Sequence, residues 1–282
     1  MMVTAVSSVS FTYWISRMKI FLAVIFVFTS LQGQTASPYS LSMKTDSWII
    51  GSSVAAGIGA YSIETNLKPL SPAEIASPQK SNINAVDRFS AGYYNAPQST
   101  LSDVLVGISI ASPAIFLADK RIRDDFFTLG TMYTETAMLA AIFPSLGKGT
   151  AKRLRPYVYN TSVPLDLRLE SDAQRSFFSR HSSFAFSMAV LTSVVYGDYF
   201  PDSKYKTYVW IGSLGLASSI AVLRVTSGSH FISDVVVGAV VGSAVGYFIP
   251  YIHRTGSVGS SSMSISPLVT SPSKGFTVSI HF

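Results

Sequence analysis

Apolar and polar positions alternate along the chain in long blocks. Beyond an apolar run in residues 20–30, six apolar segments recur near 47–63, 101–118, 126–146, 183–199, 208–223 and 231–251. Each is long enough for a helix and rich in Ala, Gly, Ser, Leu and Val. Small residues let helices approach closely, in a membrane or in a tight bundle. Few of the runs reach the length of a clean membrane span, so they read as short spans or as buried core helices. The pattern predicts an all-α fold, a membrane-associated six-helix bundle.

The connections differ in kind. Residues 118–123 and 197–206 are short and polar, whereas 66–100 is long and rich in Pro, Ser and Asn, and 147–178 is also long. Loops of that length in a compact domain usually carry function or are disordered. In an alternating bundle, the loops after segments one, three and five fall at one end, and that end holds nearly every candidate catalytic residue. Near the C-terminus, "MSISPLV" and "FTVSIHF" flank "TSPSKG" and alternate apolar with polar residues, which predicts a short β-hairpin. An isolated hairpin is marginal and must pack on something. The boundaries follow: 1–40 a signal peptide or N-terminal anchor, 41–255 the helical domain, 256–282 a tail with the hairpin. The signal reading rests on Met18-Lys19 followed by "IFLAVIFVFTSLQGQTAS", a basic start, a short apolar run and small residues.

Composition sharpens this picture. Hydrophobic residues make up 48% of the 282 positions and charged residues only 13%, about half the usual share for soluble domains. Mean hydropathy is +0.36. Both favour membrane association. The net charge of +6 suits a site for anions, and no nucleic-acid-binding motif accompanies it. The absence of cysteine excludes a disulfide framework and thiolate metal sites.

Three clusters carry candidate chemistry. In "RVTSGSHFISD", residues 224–234, turn residues precede the sixth segment, with Ser229 as a natural N-cap. His230 and Asp234 then stand at i and i+4 on one face. A carboxylate beside an imidazole would fix its tautomer and hold the far nitrogen outward. Arg224 can reach the same space. In "KGTAKRLRPY", Lys148, Lys152 and Arg155 stand at i, i+4 and i+7, and Pro156 turns Arg155 out of the helix. In "SFFSRHSSFAF", Ser179 can cap the fourth segment, whose free N–H groups can bind an anion, with Arg180 and His181 beside it. Taken singly, each cluster also reads as a capped helix start or a basic flank. Asp103 and Glu135 lie in apolar segments and are assigned no role.

Together the clusters resemble the type 2 phosphatidic acid phosphatase (PAP2) superfamily, which includes vanadium haloperoxidases. Lys148, six residues and Arg155-Pro156 match its first signature. Ser179 and His181 match the serine and histidine of its Pro-Ser-Gly-His signature. Arg224, five residues, His230, three residues and Asp234 match the third. Phe178 and Arg180 depart from the family's proline and glycine, and Leu223 from its serine.

The resemblance implies metal-independent hydrolysis of a phosphomonoester or diphosphate. In it, His230 is the nucleophile and Asp234 orients it. His181 is the general acid and base, and Lys148, Arg155, Arg224, Ser179 and the Arg180 amide hold the phosphate oxygens. Lys152, Arg153, Arg168 and Arg175 are expected to line the approach or face solvent. No cofactor and no metal-ligand cluster are expected, and vanadate is expected as an inhibitor or phosphate mimic. The expected partners are a lipid phosphate and a membrane. The expected location is a bacterial cell envelope, with the site on the periplasmic side. The alternatives are a vanadate-dependent haloperoxidase and a phospholipid-binding or transport protein without turnover.

Overall fold

The computed structural model describes residues 37–75 and 79–255, together with the backbone pairing of two strands, Met263–Val269 and Lys274–Ile280. The expected signal segment lies almost entirely outside the described residues. Each apolar segment coincides with a helix: α1 (Met43–Thr65), α2 (Ala96–Ala111), α3 (Phe126–Ala151), α4 (Arg180–Tyr199), α5 (Lys206–Thr226) and α6 (Ile232–His253). A 3-10 turn, Ser112–Ala118, continues α2. Strands β1 (Met263–Val269) and β2 (Lys274–Ile280) pair antiparallel, with Met263 opposite Ile280.

The helix starts follow local chemistry. Ser42, Asn95 and Ser179 cap α1, α2 and α4, each side-chain oxygen accepting a backbone N–H of the first turn. The start of α6 differs from the expected Ser229 cap. Phe231 is the N-cap residue, and the Asp234 carboxylate accepts its backbone N–H at 2.9 Å. Ser229 instead shares its hydroxyl with Ser227, 2.9 Å away. Helix α3 ends at Lys152, whose φ of 45° is left-handed. Lys148, Lys152 and Arg155 therefore do not share a helical face. Lys152 is exposed, while Lys148 and Arg155 are buried.

Helix α4 is the centre of the bundle, with α2, α3, α5 and α6 packed around it, and α1 packs on α3. Enclosure explains its composition. Three of its serines, Ser182, Ser187 and Ser193, bond to nearby carbonyls or hydroxyls, as Ser193 does to Ala189 and Ser213. The surrounding helices turn large apolar side chains outward, including Ile108, Ile211, Val240 and Phe248. Four helical stretches among the described residues, Ala96–Ala118, Phe126–Tyr159, Lys206–Thr226 and Ile232–His253, are long and apolar enough to cross a membrane. With these outward apolar faces, they mark a membrane-associated chain.

The closest packing joins α4 to α6. Gly238, Gly242 and Gly246 recur every fourth residue on α6 and lie against the backbone carbonyls of Ser179, Ser183 and Ser187. A Cβ at any of the three would collide with the facing carbonyl. This contact sets the register between the two helices that begin at the histidine clusters.

Two substitutions test that constraint. Gly242→Val is expected to lower stability by about 1–3 kcal/mol or more, since the facing atoms are backbone and cannot yield. Gly215→Val on α5, where a Cβ meets nothing, is expected to change it by less than about 0.5 kcal/mol. Thermal midpoints of the detergent-purified variants check both.

Candidate active site

The three sequence clusters meet at one end of the bundle. Lys148 lies on the last turn of α3 and Arg155 in the loop beyond it. Ser179, Arg180 and His181 open α4, Arg224 lies on the last turn of α5, and His230 and Asp234 flank the start of α6. The turn between Arg224 and His230 needs a glycine. Gly228 has a φ of +77°, and a Cβ there would strike the Tyr93 carbonyl. The backbone of Ser229 and His230 then folds back onto the Arg224 carbonyl.

His230 is almost completely buried, at 1% exposure. Its Nδ1 lies 2.7 Å from the main-chain carbonyl of Ser176. A carbonyl only accepts, so Nδ1 carries the proton and Nε2 keeps its lone pair. The expected direct contact with Asp234 is not made, because Asp234 Oδ2 is 3.9 Å from Nδ1. Asp234 acts one step removed. It accepts the Ser176 hydroxyl at 2.5 Å and the Phe231 amide at 2.9 Å, so it holds the segment whose carbonyl orients His230.

Arg153 also departs from expectation. It does not simply line the approach: its guanidinium donates to Asp234 at 2.6 Å, to Asp87 at 2.6 Å and to Ser233 at 2.8 Å, and it covers the Phe231 ring. Asp87 comes from the long 66–100 loop. Hydrogen bonds from Ser233, Arg153 and Asn84 outweigh its burial and hold its pKa below the usual carboxylate range. The same loop makes further ties: the Gly92 and Asn95 amides donate to the Pro156 and Ser227 carbonyls, and the Lys68 carbonyl accepts from the Gln174 side chain.

His181 has a partner to which sequence reading assigned no role. Its Nε2 lies 2.7 Å from Asp103 Oδ1 on α2, and Arg224 donates to the same oxygen at 3.3 Å. Arg224 also reaches the hydroxyls of Ser99 and Ser102. The sequence signal for Asp103 was available: a carboxylate inside an apolar helix is costly unless it has work to do. Its partner lay 78 residues away, so nothing local could name it.

The cations are held but not fully spent. Lys148 donates to the Arg175 carbonyl at 3.0 Å, leaving two of its three N–H donors. Arg155 donates to the main-chain carbonyls of Asp172 and Ser229 and to the Asp172 carboxylate. Arg224 Nε is buried without a hydrogen-bond partner. Arg180 turns its guanidinium to Glu64 and Ser145, at 2.7 and 2.8 Å. Ser179 uses its hydroxyl to accept from the Ser182 amide.

Burial, then the fields of Arg155, Lys148 and Arg224, push the His230 pKa well below its ordinary value. Burial, then Arg224, Lys148, Arg155 and Arg180, push His181 down to about 3. Two imidazoles held neutral beside partly compensated cations favour an anion.

This geometry defines a helical, membrane-associated protein in which two histidines and several partly compensated cations meet at one end of the bundle. The comparisons name the family. Residues 129–257 match the family model of the PAP2 superfamily, so that segment is similar to the superfamily. The match spans all three histidine and cation clusters and leaves α1, α2 and Asp103 outside it. No curated protein and no solved structure matches the chain.

Two outcomes follow. Arg153→Ala strands two fully buried carboxylates and is expected to cost about 3–5 kcal/mol, whereas Lys152→Ala at the exposed neighbour stays within about 0.5 kcal/mol. Denaturation of both variants checks this. Both imidazoles are neutral in the folded chain and take up protons on unfolding below 6.5. Stability is therefore expected to fall as pH drops from 6.5 toward 3, and the fall should be shallower in His181→Gln. Thermal midpoints across that range measure it.

Proposed function

We propose that the chain hydrolyses a lipid phosphate or isoprenyl diphosphate through a phosphohistidine on His230, without a metal ion in the reaction. The match of residues 129–257 to the PAP2 superfamily supports a phosphatase-type enzyme in general terms. The observation that carries the finer reading is the tautomer of His230. Its Nδ1–H is committed to the Ser176 carbonyl, so a lone pair remains on Nε2, within the fields of Arg155, Lys148 and Arg224.

In the first step Nε2 forms a bond to phosphorus while the bond to the leaving oxygen breaks. The imidazolium of His181 gives its proton to that oxygen. In the second step His181 takes a proton from water, the water oxygen bonds to phosphorus, and the phosphorus–nitrogen bond breaks to release phosphate. The bound dianion offsets the cations that hold His181 neutral in the free chain, and Asp103 stabilises its imidazolium. Lys148, Arg155, Arg224 and the amides at the start of α4 stabilise the charge spread over the equatorial oxygens. Vanadate would occupy the same place as a phosphate mimic.

Arg180 in place of glycine leaves this reading intact, because Glu64 and Ser145 engage its guanidinium while its amide stays at the helix start. The apolar helix faces beside an anion site suit an amphiphilic substrate.

The test is phosphate release by detergent-purified protein from a panel of lipid phosphates with no added metal. Wild type is expected to turn over at least one lipid. His230→Ala should fall by about three orders of magnitude or more, and Asp103→Asn by about 10-fold to 100-fold, mostly in kcat. Background release by wild type from every lipid of the panel would overturn the phosphatase reading in favour of binding or transport.

A further inference from the structure

A second group of ionisable side chains meets far from the histidine pair. Asp46 lies on the first turn of α1, Glu135 within α3, and His253 at the last residue of α6. All three are buried, and their ligand atoms lie within 4.8 Å of one another. His253 Nδ1 donates to the Ile249 carbonyl at 2.8 Å, which aims Nε2 at Asp46 Oδ1, 3.0 Å away, and Glu135 Oε2, 3.5 Å away.

Neither oxygen of Glu135 has a hydrogen-bond donor, although the residue is 0% exposed. A buried carboxylate without donors is costly. Two carboxylates converging on a lone-pair nitrogen call for a cation between them.

The geometry fits a metal ion. Donor atoms about 2.1 Å from a metal, at angles of about 90–110°, stand about 3.0–3.4 Å apart. The separations of 3.0 Å and 3.5 Å lie at that edge length and just above it. A ligating histidine usually donates its other N–H to a carbonyl or carboxylate, as His253 does to Ile249. One nitrogen with two carboxylate oxygens suits a divalent transition ion better than calcium, which takes six to eight oxygens.

We propose that Asp46, Glu135 and His253 form a site for one divalent ion of the zinc or manganese class. The ion ties α1 to α3 and α6 at the end of the bundle away from the phosphate site. His253 and Asp234 lie on the same helix, about 30 Å apart at a rise of about 1.5 Å per residue, so the ion takes no part in the chemistry at His230. The sequence reading names no metal-ligand cluster, and this proposal goes beyond it. The three ligands come from segments separated by more than eighty residues, and no local spacing announces them.

The test uses the full chain in detergent, stripped with chelator and titrated separately with zinc and manganese. Bound metal and the thermal midpoint are both read. Wild type is expected to hold about one ion per chain, with a midpoint that rises with the logarithm of metal concentration. Glu135→Gln and Asp46→Asn should lose both effects, and His230→Ala should keep both. An absence of uptake and shift in wild type would overturn the proposal. Uptake that survives both carboxylate variants, or that disappears in His230→Ala, would also overturn it, placing the ion elsewhere.

Discussion

The contact between α4 and α6 governs the rest of the molecule. Three glycines spaced by one turn bring the α6 backbone onto the carbonyls of Ser179, Ser183 and Ser187. No other residue type permits that distance. Because α4 opens with Ser179 and His181, and α6 follows directly from His230, the glycine stripe fixes the relation of the two imidazoles. The Ser179 amide donates to the Asp234 carbonyl at 3.0 Å, so the two helix starts are also joined by main chain. Sites built on helix termini in this way are held by backbone packing rather than by mobile loops.

Around that frame the charges fall into two sets with different duties. Arg153, Asp87 and Asp234 neutralise one another in a buried network that locks the long 66–100 loop against the start of α6. Lys148, Arg155 and Arg224 are compensated only in part, by carbonyls, by Asp172 and by Asp103. The first set is structural, since removing one partner strands the others. The second leaves positive charge unspent beside His181 and His230, and burial together with that charge lowers both imidazole pKa values. Asp234 belongs to both: it balances Arg153 and, through Ser176, holds the carbonyl that orients His230.

The opposite end of the bundle has its own polar network. Tyr39 and Arg254 share the Asp198 carboxylate, and Asp46 follows Tyr39 by seven residues while His253 precedes Arg254 by one. Helices α3 and α6 run between the two ends. One carries Lys148 and Glu135, the other Asp234 and His253. A cation tying these helices at one end would restrain the frame on which the distant anion site stands.

Much of this was determined by the sequence alone. The six apolar segments specify the helices, because periodicity and length act locally. The site cations and histidines are legible because each sits at a helix end with its turn residues beside it. What the tertiary structure decided lies between segments. Whether Asp234 touches His230 or reaches it through Ser176 depends on where the 147–178 loop crosses α6. Whether Arg153 faces solvent or bridges two carboxylates depends on Asp87, 66 residues earlier. Asp103 acquires meaning only when α2 meets α4, and Glu135 only when α1 and α6 close on α3. Local spacing decides which backbone forms, and the choice of partner for a buried charge belongs to the packing that brings distant helices together.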